Sequence, residues 1–366
     1  MRARLVDTAY AAGWTIVRGL PESVARVLFV LLADAVWWRR GKGVRRLEAN
    51  LRRVLAGGGG RVDEATLRAT SRAGMRSYLR YWREVFRLPT TSRERIVTGM
   101  RMTNEDILRT AVGSGRGAIA ALPHMGNWDH AGAWAVLTGL PFTTVAERLR
   151  PESLFDRFVA FRTSIGMEVI PLSGGTQPPF AVLAERLRAG GLVCLLADRD
   201  LTAAGVDVDF FGEPARMPAG PAALALETGA ALLPVTLAYD PDVWYVQIHP
   251  EVARPATGSR SEQIAAMTQA VADVFAGGIA AAPQDWHMLA RLWLSDLDPA
   301  RAQQPTGGST GPASTGPAST GPASTAPAST APASTGPAST GPASTGPATA
   351  PATAPAEPTG PAEHVA

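Results

Sequence analysis

Residues 117–132 read GAIAALPHMGNWDHAG, and the rest of the chain is organised around this stretch. Its first six residues are small and apolar, which predicts a buried strand, and the Ala/Trp-rich run at 131–140 predicts the start of a helix. A strand that ends at Pro123 and leads into a helix places His124 at the carboxyl end of the strand. Open α/β sheets bind their ligands at that edge. The stretch therefore predicts a sheet and a site together.

Asp129 follows His124 at a spacing about 140° off one helical face. The two side chains meet only if His124 stands just before the helix and Asp129 lies in its first turn. There the carboxylate would hold one ring nitrogen and leave the other free as a general base. The alternative is a chance pattern, because His-x4-Asp alone is common. Asp129 and His130 also raise the question of a metal site, but the sequence has no HExxH or CxxC spacing, so no metal is predicted.

The last part of the 366-residue chain is of low complexity. Eight successive STGPA or STAPA pentads fill residues 309–348. Such a segment has no large apolar side chain to offset the entropy of ordering, so a disordered tail is expected over residues 301–366. The remaining chain is predicted to form an α/β core over residues 101–300, preceded by a helical, basic, membrane-facing segment over residues 1–100.

The net charge of +3 hides a strong asymmetry, since residues 1–100 carry 20 basic and 8 acidic side chains. In this part, Trp37 and Trp38 end an apolar run at 23–38 and are followed at once by Arg39 and Arg40. Apolar residues, paired tryptophans and then cations are typical of a helix in a membrane interface. The alternative is an ordinary buried first helix with a charged exit. The most apolar run, 27–33, is too short to span a bilayer.

A predicted helix at 63–87 carries a stripe of arginines at steps of four or three. Its members are Arg68, Arg72, Arg76, Arg80, Arg83 and Arg87. Like charges at this spacing repel, so the stripe is expected to face anions. These anions are either membrane phosphates or carboxylates of a neighbouring helix. Nucleic acid is not an expected partner, because no recognition motif accompanies the stripe.

From residue 100 onward, short apolar runs alternate with helical segments, which predicts an α/β fold with a mixed central sheet flanked by helices. The predicted strands lie at 117–122, 143–146, 168–171, 192–197, 231–238 and 244–249. The predicted helices lie near 155–164, 179–189, 218–228 and 264–279. The last helix is expected to pack against the sheet.

A second group of polar residues follows the predicted strand at 192–197. Asp198, Arg199 and Asp200 come directly after it, and Arg216 ends a Gly/Pro-containing stretch at 210–216 that is interpreted as a loop. An acid here would orient the catalytic histidine or a sugar hydroxyl, and the arginines would bind phosphate. The alternative is a set of exposed loop charges. A further cluster contains Arg148, Arg150 and Arg162. Cys194 is not expected to be a nucleophile, because a strand interior raises a thiol's pKa.

Four segments together resemble the lysophospholipid acyltransferase superfamily, in the branch of bacterial lipid A acyltransferases and its actinobacterial members. They are HMGNWD at 124–129, ERLRPESLFDRFVAFRTSIGMEVIPL at 147–172, LLADRDLTAAGVDVDFFGEPARMPAGPAALALETGAALLPV at 195–235 and PQDWHMLARLW at 283–293. The resemblance implies that His124 and Asp129 are the catalytic pair, with Asp198 assisting and Arg162 in the site. Asp200 competes with Asp198, since the assisting acid is commonly glutamate in relatives.

The resemblance also implies a reaction, namely transfer of a long acyl chain, palmitoyl above all, from acyl-CoA to a mannose 6-hydroxyl of a phosphatidylinositol mannoside. Arg148, Arg199, Asp200 and Arg216 would help to bind substrate, and acyl-CoA would be a co-substrate with no cofactor needed. The protein would be peripheral, on an anionic membrane surface at the cytoplasmic face of the plasma membrane. Backbone N–H groups at the start of the helix after Met125 are expected to stabilise the oxyanion.

Three other functions fit the same residues. The first is an acyltransferase whose acceptor is a lysophospholipid and not a glycolipid. The second is an acyl-CoA thioesterase, in which water attacks the thioester. The third is a membrane-bound lipid-binding scaffold, which is not an enzyme and needs no catalytic histidine.

Overall fold

The computed structural model describes residues 15–146, 152–175, 177–200 and 205–297. The predicted tail at 301–366 lies outside these ranges. The described residues form an N-terminal layer of helices and a mixed seven-stranded sheet with helices around it. This confirms the α/β fold class and its mixed sheet.

The N-terminal layer consists of α1 (Glu22–Trp38), α2 (Lys42–Ala56) and α3 (Glu64–Arg87). Apolar side chains of α2 and α3 form their own buried cluster. α3 begins where the Asp63 carboxylate accepts the backbone N–H of Thr66 at 2.9 Å, and α2 ends at Gly57, whose φ of 57° is left-handed. α2 and α3 therefore share a core, and Val36 and Trp37 of α1 pack against it.

Neighbouring helices supply most of the carboxylates that face the arginine stripe. Asp34 of α1 binds Arg72 and Arg76, each at 2.6 Å, and Glu48 of α2 binds Arg68 at 2.8 Å. Arg80 pairs with Glu84, and Arg83 and Arg87 reach Glu22. Of the two interpretations of the stripe, the one with carboxylate partners is therefore correct.

Trp37 likewise packs within this layer. Its indole Nε1 donates to Ser71 Oγ at 2.9 Å, and the Arg68 guanidinium lies 4.0 Å from its ring centroid. Trp38 points away and is 77% exposed. Only one of the two tryptophans therefore has the exposure that a membrane anchor requires.

The central sheet has the strand order β1-β9-β8-β2-β5-β3-β4. Its strands are β1 (Met100–Thr103), β2 (Ala118–Leu122), β3 (Phe142–Ala146), β4 (Glu168–Pro171), β5 (Leu192–Leu196), β8 (Ala231–Asp240) and β9 (Val243–Ile248). Only β8 and β9 pair antiparallel, and the other neighbours are parallel. All six predicted strands are present with boundaries within two residues, and of the seven strands of this sheet only β1 was not predicted.

Helices cover both faces of the sheet, because alternate residues of β2 enter two different cores. The helices after the N-terminal layer are α4 (Arg93–Thr98), α5 (Glu105–Gly113), α6 (Trp128–Leu137), α7 (Glu152–Ser164), α8 (Pro179–Arg188), α9 (Gly220–Thr228) and α10 (Arg260–Ala281). By length and composition α10 alone among the described helices is long and apolar enough to cross a membrane. In the fold it packs on the sheet, with Met267, Val271 and Phe275 buried, as predicted.

The stretch 210–216, interpreted as a loop, is instead part of a hairpin of β6 (Val206–Phe210) and β7 (Glu213–Met217). Phe211 and Gly212 form its two-residue turn, with φ values of 57° and 79°. Two successive residues with positive φ are what a type I′ turn needs, and its twist matches paired strands. The loop prediction was wrong because Val206, Val208 and Phe210 are buried and alternate with the exposed Asp207 and Asp209, which is a strand pattern, and the glycine belongs to the tight turn between two strands.

Candidate active site

His124 lies two residues beyond the end of β2, in a loop that a distant segment holds in place. The backbone N–H of His287 donates to the carbonyl of His124 at 2.7 Å, and that of Gly126 donates to the carbonyl of Asp285 at 2.9 Å. Gly126 has a φ of 58°, and a Cβ there would lie 2.9 Å from Leu237 Cβ in β8. Glycine is therefore required for the loop to lie this close to the sheet.

Asp198 binds the His124 imidazole. Its Oδ1 lies 2.6 Å from His124 Nδ1, and its Oδ2 accepts the backbone N–H of His124 at 2.9 Å. Strand register explains this, since Leu122 of β2 pairs with Leu196 of β5 and both side chains follow their strands by two residues. Trp286 Nε1 donates to Oδ2 as well, at 2.9 Å. Three donors therefore converge on one fully buried carboxylate.

Electrostatics keep that carboxylate ionised. Burial tends to raise the pKa of Asp198, but the charge of His124 when protonated and the hydrogen bonds from His124 and Trp286 outweigh burial, so the pKa lies below its ordinary value. An ionised Asp198 can only accept a hydrogen bond, so His124 Nδ1 carries the proton and donates it. The lone pair of the neutral ring is then on Nε2. The His124 side chain is 29% exposed, and within the described ranges Nε2 has no protein hydrogen-bond partner. An imidazole held in this way can accept a proton at Nε2.

The expectation that Asp129 holds the histidine ring is corrected by the structure. Asp129 does lie in the first turn of α6, but its carboxylate accepts Arg162 Nε at 2.7 Å and the Tyr81 hydroxyl at 2.7 Å. The physical reason is that Asp198 already occupies Nδ1. Arg162 and Asp129 contact each other and not His124.

The Asp129–Arg162 pair is charged and largely buried. Burial raises the pKa of Asp129, yet the Arg162 guanidinium and the Tyr81 hydroxyl outweigh it and hold the pKa below its usual range. Asp129 is 2% exposed. A carboxylate removed from water in this way depends on its partner, so the pair fixes α3, α6 and α7 against one another. Asp129 therefore supports the helix that follows His124, and Trp128 on that helix contacts the His124 ring edge-on at 5.6 Å.

The remaining predicted residues lie apart from the imidazole contacts. Asp200 is buried and accepts the backbone N–H of Gly205 at 3.2 Å, so of the two competing acids it is Asp198 that contacts His124. Arg216, on β7, is buried and binds Asp207 of β6 at 2.7 Å. Arg199 is half-buried beside Asp198 in sequence. Arg148 and Arg150 lie outside the described residues.

The expected oxyanion donors are partly used within the fold. The N–H of Met125 donates to the Pro123 carbonyl at 2.8 Å, and that of Gly126 to Asp285. The helix itself starts only at Trp128, with Asn127 as its cap. The expectation that the N–H groups next to Met125 face an oxyanion was therefore wrong for these two groups.

Glu84 binds Asn127, in the loop that follows His124, and was not predicted as a site residue. Its carboxylate accepts Asn127 Nδ2 and Trp244 Nε1, each at 2.8 Å, and pairs with Arg80 at 2.7 Å. Burial would raise the pKa of Glu84, but Arg80 and nearby donors lower it below its ordinary value. The sequence signal for Glu84 was an acidic residue within the apolar face of a predicted helix. The neighbouring arginine stripe offered a simpler explanation for that acid, namely a surface ion pair.

A second histidine, His287, lies in the same cluster. Its Nε2 is 2.9 Å from Ser77 Oγ, and that hydroxyl donates to Asp285 Oδ1 at 2.7 Å. A hydroxyl has one proton, so Nε2 of His287 is the donor and Ser77 is not activated as a nucleophile. Burial lowers the pKa of His287 to about 3, which keeps the ring neutral. The sequence signal was the segment at 283–293, which carried no assigned roles.

Cys194 and clusters of metal-binding side chains were also considered as sites within the described part of the chain. Burial raises the pKa of Cys194 to about 12, in the direction predicted from its strand, so it stays a thiol at neutral pH. No group of three or more His, Cys, Asp or Glu side chains within the described ranges is suited to hold a metal ion.

Comparisons with known proteins identify the family of this chain. Residues 2–295 match the model of the bacterial lipid A biosynthesis acyltransferase family. A phosphatidylinositol mannoside acyltransferase of Mycolicibacterium smegmatis is 49% identical over 298 residues, covering 81% of this chain and 94% of that protein. A phosphatidylinositol mannoside acyltransferase of Mycobacterium tuberculosis is 50% identical over 305 residues, covering 81% of this chain and 92% of that protein. The match extends across the helical layer and the sheet, so this chain belongs to the bacterial lipid A biosynthesis acyltransferases and is an O-acyltransferase.

Proposed function

We propose that this acyltransferase moves a long-chain acyl group, palmitoyl in the first instance, from acyl-CoA to a mannose 6-hydroxyl of a phosphatidylinositol mannoside. The names of the similar mycobacterial proteins support this acceptor. The observation that carries the chemistry is the 2.6 Å contact between Asp198 and His124 Nδ1, with Nε2 open.

The proposed reaction needs one base and no covalent enzyme intermediate. Nε2 of His124 takes the proton of the sugar hydroxyl as its oxygen attacks the thioester carbonyl. The C–S bond then breaks, and the imidazolium returns the proton to the CoA thiolate. Asp198 stabilises the imidazolium while it exists, as the aspartate of a serine protease does. A thioester is already activated, so no Ser or Cys nucleophile is required.

The same proposal places the protein on the cytoplasmic face of the plasma membrane. Seven of the nine large apolar side chains that are exposed in the described part of the chain lie between residues 16 and 38. Val24, Val27, Leu28, Leu31 and Trp38 follow one another along one side of α1. An exposed apolar stripe of this kind suits the boundary between lipid headgroups and acyl chains.

The experiment is acyl transfer by the purified full chain from radiolabelled palmitoyl-CoA to a phosphatidylinositol mannoside, a lysophospholipid or water. The matched variant is His124→Gln, which keeps a polar side chain but has no basic nitrogen. Label in the mannoside alone, lost in the variant, is the expected result. Label in the lysophospholipid overturns the acceptor, release of free palmitate without acceptor favours a thioesterase, and no turnover by the wild-type chain overturns the enzyme's proposed donor or acceptor.

A further inference from the structure

A basic cavity of about 560 Å³ lies outside the group of residues around His124. It forms where the first turns of α2 face the segment that follows Trp286. Its polar lining includes Lys42, Arg45, Arg46, Asn50, Arg291 and Asp296. Four of these six side chains are cationic, so the cavity is strongly positive.

The cations of this basic cavity differ from their neighbours in having no carboxylate. Within the described part of the chain, no Asp or Glu lies within salt-bridge distance of Lys42, Arg45, Arg46 or Arg291. Further along α2, Arg52 pairs with Glu64 at 2.7 Å. The single acid of the lining, Asp296, is bound by Arg53 at 2.7 Å. Within the described residues, the charges around the cavity are therefore paired, whereas its four cations have no carboxylate partner.

This placement of cations is unfavourable for the helix itself. Lys42, Arg45 and Arg46 stand at i, i+3 and i+4, where like charges repel by a few tenths of a kcal/mol. They also occupy the N-terminal turns of α2, where the helix dipole favours anions, and the first turn contains no acid. Helix stability therefore does not account for them, whereas a bound anion would offset both effects.

A short segment connects the basic cavity to the active site. Asn50 Nδ2, in the cavity wall, donates to the carbonyls of Met288 at 2.7 Å and Ala290 at 3.0 Å. His287, one residue before this tether, donates its backbone N–H to His124. Arg291 follows His287 by four residues, and four extended residues span at most about 14 Å. A ligand in the cavity is therefore near enough to extend an arm to His124.

We propose that the basic cavity binds the phosphates of the CoA portion of the acyl donor. This rests on the acyl-CoA-dependent transfer proposed above. CoA carries a diphosphate and a 3′-phosphate, and its pantetheine arm separates these from the thioester. Several negative charges match four unpaired cations, whereas the phosphodiester of a phosphatidylinositol lipid supplies only one. Arginine binds phosphate through paired N–H groups, and three of the four cations are arginines.

The first test measures binding without turnover. CoA is titrated by calorimetry into the full chain, into Arg45→Gln/Arg46→Gln, and into Arg52→Gln as the control that removes a cation of the same helix outside the cavity. The double variant should bind CoA about tenfold more weakly and with a smaller salt dependence, and the control should bind as the wild type does. Equal affinity of all three proteins, or no binding of CoA by the wild type, overturns the proposal.

The second test assigns the phosphates to the donor. Transfer from palmitoyl-CoA is compared with transfer from palmitoyl-pantetheine, which lacks the nucleotide phosphates. The double variant should raise the KM for palmitoyl-CoA about tenfold and leave kcat and the KM for palmitoyl-pantetheine unchanged. A rise in the KM for the glycolipid alone, or a loss of sedimentation with anionic vesicles that raises both donor KM values equally, overturns the assignment.

The two tests also separate this proposal from the proposed function. If the wild type binds CoA through these arginines but transfers no acyl group, the proposed function fails and the assignment of the cavity to CoA stands. If the wild type transfers palmitoyl and the double variant has the same KM for palmitoyl-CoA, the assignment of the cavity fails and the proposed function stands.

Discussion

Trp286 Nε1 donates to the same Asp198 Oδ2 that accepts the backbone N–H of His124, and each of the two bonds is 2.9 Å long. A residue near the end of the described chain thus fixes the carboxylate that positions the His124 ring. Removing that donor should disturb catalysis more than it disturbs folding.

Trp286→Phe keeps an aromatic ring in the buried cluster but removes the donor. We expect kcat to fall about tenfold with little change in KM, because one of three donors to Asp198 is lost, and its pKa should rise toward the ordinary value. Trp293→Phe is the matched control, since Trp293 is equally buried and its Nε1 donates at 2.9 Å to the Phe210 carbonyl. Equal kcat losses in both variants, measured with palmitoyl-CoA, would point to general loosening of the core.

Asp198→Asn should be far more damaging to kcat. An amide has only one acceptor oxygen, and the two N–H donors at Oδ2 favour placing it there. The amide NH2 then faces His124 Nδ1 and holds the ring in the wrong tautomer, with a proton on Nε2. A kcat lower by about 10⁴ is expected, the magnitude known for the same change in a serine protease. Near-wild-type kcat in a folded Asp198→Asn chain would exclude this carboxylate from the proposed mechanism.

The Asp129–Arg162 pair should behave as a structural ion pair. Arg162→Met leaves a buried carboxylate unpaired and should lower the free energy of unfolding by about 3–5 kcal/mol. Asp129→Asn combined with Arg162→Met removes both charges and should recover part of this loss. Urea unfolding at pH 7 is measured for the wild type, for each single variant and for the double variant. If the double variant is as unstable as the sum of the single ones, the two charges do not interact as the 2.7 Å contact implies.

The sequence predicted most of the sheet, but the spacing argument placed the wrong acid, Asp129, against the His124 ring. Apolar runs reveal buried strands, because burial on both faces demands continuous apolar sequence. A histidine's partner is a matter of strand order, and sequence spacing favoured Asp129, five positions away, over Asp198, 74 positions away. Only the pairing of β2 with β5 makes the distant acid the near one.

The basic N-terminal part of the chain illustrates a second limit. The spacing of the arginines on α3 was evident from the sequence, but most of their carboxylate partners come from α1 and α2, and only Glu84 lies on α3 itself. Helix-to-helix packing therefore decides which cations remain unpaired. The cations without described partners, such as Lys42 and Arg45, are ones that the sequence did not distinguish from the others.

Membrane association should depend on the exposed stripe of α1 and not on Trp37. Val27→Ser/Leu31→Ser/Trp38→Ser replaces three side chains that are at least 58% exposed, so folding should be little affected while the apolar area available to lipid falls. The triple variant should move from the vesicle pellet to the supernatant in sedimentation with anionic liposomes. Phe180→Ser, an exposed apolar residue on α8, serves as the control. Retention of the triple variant in the pellet would exclude this face as the main anchor.

Stability should fall between pH 6 and 4 because of buried neutral histidines. Burial lowers the pKa of His287 to about 3 and that of His130 to about 4, from 6.5 in the unfolded chain. Between these values the unfolded state binds protons that the folded state does not, so the free energy of unfolding falls as pH is lowered, by roughly 1 kcal/mol per pH unit for each histidine. Carboxylates such as Asp129, whose pKa is held low, lose their contribution only at more acidic pH.

His287→Phe should remove about half of that slope, because it keeps a ring against Tyr78 and Trp128 while it eliminates one titrating group. Urea unfolding at pH 6, 5 and 4 gives the slope directly. Tyr78→Phe alters the same aromatic cluster without changing any group that titrates in this range, so its slope should equal that of the wild type. A full slope in His287→Phe would mean that the ring is charged in the folded protein. Its Nδ1 is buried and has no hydrogen-bond partner among the described residues, so a charged ring would need an acceptor there that these residues do not supply.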